Sequence, residues 1–126
     1  MPDFKKYVTL AATPEEVYAA LTFEPTVELW TSAPATIKPE VGEEFSMWDE
    51  SISGKFLELE PGKMIKQEWY FGELEDPSIV TIKLHEDKNS TSMEVRHTNI
   101  PEESYEDIVE GWNQMYLLEL SEFYNG

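Results

Sequence analysis

The chain is 126 residues long and carries 26 acidic residues against 9 basic ones, a formal net charge of -17. That length fits one domain, residues 1–126, whose core needs no covalent staple, and with no cysteine there is neither a disulfide framework nor thiolate chemistry. The charge disfavours nucleic acid, whose phosphates need a cationic face, and anionic membrane surfaces; no apolar run approaches the roughly 20 residues of a membrane helix and no cationic, apolar leader precedes Phe4, so a soluble, cytoplasmic protein is expected.

Phe4 to Leu10 alternates as a strand, with Phe4, Lys6, Val8 and Leu10 on one face. Thr13-Pro14-Glu15-Glu16 then reads as a helix start: Thr13 as N-cap, Pro14 in the first turn and Glu16 completing a capping box. Val17, Tyr18 and Leu21 give this short helix its apolar stripe, and it stops before Pro25. Val27 to Trp30 predicts a second short helix.

Strands follow. Ala35 to Ile37 is a short one, and Phe45 to Trp48 is another after the Gly42 turn. Ile52 to Glu60 and Met64 to Phe71 form a hairpin around Pro61-Gly62, where proline presets φ and glycine supplies the positive φ that follows. In the second arm Ile65, Gln67, Trp69 and Phe71 share the face expected to point inward. Ser78 to His85 places Val80, Ile82 and Leu84 on one face, Glu86 to Asn89 is a turn, and Thr91 to Asn99 places Met93, Val95 and His97 together before Pro101 ends the strand.

The last segment predicts a long helix, capped by Ser104 with Asp107 three residues on, and closed by Asn125-Gly126. Tyr105, Ile108, Val109, Trp112, Met115, Tyr116, Leu120 and Phe123 share one face at 100° per residue, with Glu119 in the same stripe. Leu117 and Leu118 flank that stripe; an exposed leucine there offers a contact for a homodimer or another partner. Gly111 reads as a close-packing point where the helix crosses the sheet.

One strand, two short helices, a run of six to seven strands and one long helix imply an α+β fold with an antiparallel meander whose concave face the last helix covers. Several stretches carry a family likeness: Ala20-Leu21-Thr22 followed by Leu29-Trp30, Gly42 to Phe45, Gly54 to Pro61, Glu68-Trp69, Met93 to His97 and Gly111-Trp112, in order along nearly the whole chain. The chain resembles the activators of the heat-shock-protein-90 ATPase. These belong to the helix-grip (START-like, SRPBCC) superfamily that includes the birch-pollen allergen and polyketide cyclases. The resemblance implies a cavity that takes apolar small molecules in many relatives, and a link to the ninety-kilodalton chaperone. In the two-domain activators a separate amino-terminal domain makes major contacts with the chaperone, and this chain resembles the carboxy-terminal domain alone.

Strand parity and the helix stripe assign Gln67, Trp69, Ile82, Met93, Val95, His97, Trp112, Met115, Tyr116 and Glu119 to the interior as the candidate ligand-binding set. The polar members are the telling ones, because a buried polar group needs a partner. His97 and Glu119 read as a structural pair, as groups that orient a ligand's polar end, or as a catalytic base and its orienter. Metal binding is not expected: the two histidines, His85 and His97, fall on opposite strand faces, and the acids lack calcium-loop spacing. Phosphate-loop, dinucleotide and nucleophile-elbow motifs are absent, and no cofactor is expected. The leading expectation is non-catalytic binding of a small apolar, amphipathic or lipid-like molecule. The alternatives are a chaperone-associated interaction module and a cyclase- or hydrolase-type enzyme using His97 and Glu119.

Overall fold

A computed structural model describes residues 2–72 and 76–125. Strand β1 (Phe4–Leu10) is followed by helices α1 (Pro14–Thr22) and α2 (Glu24–Thr31). Five strands come next: β2 (Glu44–Met47), β3 (Ile52–Glu60), β4 (Met64–Trp69), β5 (Ser78–Asp87) and β6 (Ser90–Thr98). All neighbours pair antiparallel in the order β1-β6-β5-β4-β3-β2, so the first strand docks against the last. A 3₁₀ turn (Glu102–Ser104) then leads into one continuous helical segment: α3 (Tyr105–Gly111), a widened π turn (Trp112–Tyr116) and α4 (Leu117–Asn125). This is the helix-grip arrangement the strand and helix order implied.

Local chemistry accounts for most of these boundaries. Thr13 caps α1 by accepting a hydrogen bond from the Glu16 amide at 3.2 Å, and Glu16 Oε1 accepts from the Thr13 amide at 3.4 Å, so both halves of the capping box form. Gly62 has φ 75° in the hairpin turn after Pro61. Lys88 and Asn89, at φ 50° and 70°, make a two-residue turn between β5 and β6; positive φ at both positions matches the right-handed twist of paired strands. The inward faces of β4, β5 and β6 place Ile65, Gln67, Trp69, Ser78, Val80, Ile82, Leu84, Thr91, Met93, Val95 and His97 in the core. Lys6, which alternates onto the face of Phe4, Val8 and Leu10, is exposed, and its ammonium donates to Asn113 Oδ1 at 2.7 Å.

Five sequence readings need correction. Ala35 to Ile37 is not a strand: only Thr36 bridges Ser46, because Pro34 and Pro39 confine the segment. Trp48 is not the end of a strand but the start of a left-handed run, Trp48-Asp49-Glu50, at φ 51°, 53° and 71°. Ser104 does not cap the last helix; it ends the 3₁₀ turn at φ -105°, ψ -5°, where its side chain makes no capping bond. The final helix also departs from a 3.6-residue period. The Leu117 amide bonds back to the Trp112 carbonyl, adding one residue to that turn. Side chains after the turn are rotated by that extra residue, so Leu117 is buried while Phe123 is 39% exposed, and Met115, within the turn, is 46% exposed. Leu118 is exposed as well. Gly111, finally, is no close-packing point: a Cβ placed there meets nothing within 4 Å. Gly126, read as part of the helix stop, lies outside the described residues.

The close approach belongs to Gly54 instead. It pairs with Trp69 across β3 and β4, and a Cβ there would collide with the Glu68 carbonyl oxygen and crowd the Phe45 ring. Two residues on, β3 bulges between Phe56 and Glu58, which bends the sheet around the helix. Gly54→Ala is expected to cost roughly 1–3 kcal/mol of stability by overpacking, read as a lower urea midpoint at unchanged slope. An unchanged midpoint would mean the two strands part freely.

Candidate functional site

Four tryptophans and one tyrosine form the seam between sheet and helix. Trp69, at the end of β4, stacks on Trp112 of the π turn with ring centres 5.0 Å apart and planes 15° from parallel. Trp112 meets Tyr116 at 4.5 Å, Tyr116 meets Trp30 at 5.3 Å, and Trp30 meets Trp48 edge-on at 5.5 Å. Trp30 is fixed by donating its indole N–H to the Ala20 carbonyl at 2.7 Å, which ties α2 to α1. Trp69 donates to Gln67 Oε1 at 2.9 Å. Buried indoles need such partners, and each is met without solvent.

His97 is fully buried beneath this stack. Its Nδ1 accepts the Trp112 indole N–H at 3.1 Å, and its Nε2 lies 2.8 Å from Ser78 Oγ. An indole N–H only donates, so Nδ1 carries no proton and Nε2 donates to Ser78, whose hydroxyl reaches the Thr98 carbonyl at 3.4 Å. Burial lowers the His97 pKa from the ordinary 6.5 to about 4, against a partial pull from Asp3. The imidazole is therefore neutral at pH 7 with both nitrogens occupied. Glu119 is not its partner. The Glu119 carboxyl lies by Trp48 on the helix flank, and burial raises its pKa while the Trp48 indole opposes the shift. Its Oε2 is buried without a hydrogen-bond partner.

The space left open is a crevice of about 140 Å³ at the mouth of the seam. One wall is the β2–β3 connection and the start of β3 (Trp48, Ser51, Ile52); the other is the helix (Asp107, Ile108, Gly111, Trp112, Met115, Tyr116), with Trp69 behind. Of the sequence candidates, Trp69, Trp112, Met115 and Tyr116 come together here. Gln67, Ile82, Met93, Val95 and His97 are packed in the core behind the stack, and Glu119 stands apart on its flank. The sequence candidates did not include Trp48, Ser51, Ile52, Asp107, Ile108 or Gly111 as lining residues. The clue for Trp48 was the acidic, serine-containing run Asp49-Glu50-Ser51 after it, which is turn chemistry rather than strand. Among the described residues, no group of three or more histidine or acidic side chains is placed to hold a metal.

The histidine makes a sharp pH expectation. Between pH 6.5 and about 4 the unfolded chain binds a proton that the folded chain refuses, so stability present above pH 6.5 is lost as the pH falls toward 4, on the order of 3 kcal/mol. Urea titrations of wild type and His97→Gln across this window check it. The advantage of wild type should shrink steadily on acidification; a gap that does not change with pH would contradict the burial of a neutral imidazole.

Comparison with known proteins agrees with this geometry. Residues 11–124 match the family described as activator of Hsp90 ATPase homolog 1-like protein. The chain is 37% identical over 112 residues to the human activator of 90 kDa heat shock protein ATPase homolog 1, covering 86% of this chain and 32% of that protein. It is 31% identical over 108 residues to the Dictyostelium discoideum homolog, covering 83% and 28% respectively. It thus spans about a third of the length of the curated relatives it matches. Among solved structures, an HSP90 activator from Plasmodium falciparum superposes with a TM-score of 0.86 at 26% identity, covering 94% of this chain and 92% of that one. The Aha1 dimer from Colwellia psychrerythraea gives 0.81 at 20% identity, covering 96% and 94%, a likeness of fold. No described helix is long and apolar enough to cross a membrane. The chain belongs to the family of activator of Hsp90 ATPase homolog 1-like proteins.

Proposed function

We propose that residues 1–126 act as one helix-grip unit that binds protein without catalysing a reaction, and that its partner is an Hsp90-type chaperone. The observation that carries this reading is the filled seam. Stacked indoles occupy the space between helix and sheet and leave about 140 Å³, open at the surface, whereas pockets that enclose drug-sized molecules run to roughly 300–1,000 Å³. A lipid-like guest would have to displace Trp69 or Trp112 from a stack worth about 0.5–1.5 kcal/mol beyond its buried area. The 37% identity to the human activator supports this choice of partner class. A cytoplasmic location goes with that partner.

A second reading, a small apolar ligand, has one observation in its favour: the crevice is walled by Trp48, Ile52, Trp69 and Met115, which would hold a fragment-sized guest. The cyclase or hydrolase reading has less support. His97, its candidate base, lies outside the crevice, neutral and doubly hydrogen-bonded, and a general base must reach the proton it abstracts.

The test is direct. The chain should bind purified Hsp90 at 50 mM salt, weaken several-fold by 300 mM because its surface is so strongly acidic, and raise the chaperone's ATP turnover. Tryptophan fluorescence titrated with fatty acids and phospholipids should show no saturable change. Failure to bind Hsp90 at 50 mM salt, with a saturable lipid response and a matching rise in melting temperature, would overturn the proposal in favour of a ligand carrier.

A further inference from the structure

Three irregularities converge on the crevice. The left-handed run Trp48-Asp49-Glu50 joins Trp48 to Ser51 and Ile52 of its β-side wall, and three consecutive non-glycine residues at positive φ are a costly backbone to maintain. The π turn forms the opposite wall, and such turns recur at functional sites. Between them, Gly111 keeps a normal helical backbone at φ -59°, ψ -43°, where alanine would favour the helix, yet leaves open space where a side chain would stand. No packing constraint requires glycine here.

The surroundings say what would fit. No lysine or arginine occurs from Ala11 to Ile37 or from His97 to Gly126. The helical side is therefore rich in acid: Asp107 lines the crevice, and exposed Asp49, Glu50, Glu106 and Glu110 each adjoin a lining residue in the chain. Lys6 reaches this helix only at Asn113; Lys5, Arg96 and Lys66 instead form a row across the outer face of the sheet, through Thr81. An anionic or purely apolar partner is repelled or left unpaired at this rim. A partner that seats one bulky apolar side chain against Trp48, Ile52 and Met115, and sets cations on the acids, satisfies both features.

Resting on the interaction-module reading above, we propose that this crevice is the docking site for a basic protein segment, a single Leu, Ile or Phe anchor flanked by lysine or arginine. The anchor enters beside Gly111, and the flanking cations pair with Asp107 and its acidic neighbours. The glycine is then explained as clearance for the anchor.

Fluorescein-labelled nonapeptides test this by anisotropy: a central Phe or Leu between Lys/Arg flanks, the same with Ala at the centre, and the same with Glu flanks. The basic, apolar-centred peptide should bind saturably, and either change to it should weaken binding at least tenfold. Gly111→Leu fills the space with a good helix former, so it should melt no lower than wild type yet lose binding at least tenfold. Met115→Lys, at an exposed position, should do the same should Gly111→Leu fold poorly. Binding unaltered in both variants, binding indifferent to the central residue, or no saturable peptide binding would each overturn the proposal. A wild-type dimer that Gly111→Leu turns into monomer would give the crevice to a second copy and likewise overturn it. The outcomes separate from those of the previous section. Hsp90 bound equally by wild type and Gly111→Leu, with silent peptides, sinks the docking site alone; peptides bound with no Hsp90 binding sinks the chaperone assignment alone.

Discussion

The contact between Trp69 and Trp112 joins the two halves of this fold. One ring belongs to the sheet and the other to the helix, and they lie nearly parallel at 5.0 Å. Each is held in orientation by a separate hydrogen bond, Trp69 to Gln67 within its own strand and Trp112 to His97 on a strand two places away. The pair thus fixes helix rotation, helix position and imidazole tautomer together. Apolar burial alone would press the helix onto the sheet but would tolerate sliding, because the hydrophobic effect has no direction. The two indole hydrogen bonds supply direction.

That constraint explains the π turn. Trp112 must face Trp69 and His97, while Leu120 and Tyr124 must meet the core and Asn125 must bond β1 through the Thr9 carbonyl and the Ala11 amide. A regular helix started from Trp112 would present Met115 and Phe123 to the core. Adding one residue to the turn brings Leu117 inward and delivers Tyr124 to the Glu16 carbonyl at 3.1 Å. The irregular turn reconciles two ends of one helix that are pinned independently.

Much of the fold was legible in the chain because its causes are local. Alternation gave β4, β5 and β6 their inner faces, and Thr13 to Glu16 gave the start of α1. What was not legible depends on partners far away in sequence. His97 finds Ser78, 19 residues back, and Trp112, 15 residues on, so its role could not be read from its own neighbourhood, and Glu119 was grouped with it only by helical phase. The π turn shifts that phase. Trp48 was lost for a related reason: β-propensity favours it in a strand, and only the tertiary contacts with Trp30 and Tyr116 reveal why it turns away at φ 51°.

The pairing of β1 with β6 has a bearing on how the polypeptide comes to be folded at all. Phe4 is opposite His97 and Leu10 opposite Thr91, so the sheet's first strand in chain order must wait for its last before its backbone groups find partners. The β2–β6 meander can zip up hairpin by hairpin as it emerges, but β1 closes a loop of some eighty residues, with an entropic cost that delays it. During that interval its apolar residues Val8 and Leu10 stay uncovered, and the adjacent Lys5 and Lys6 are placed to discourage association with other nascent chains.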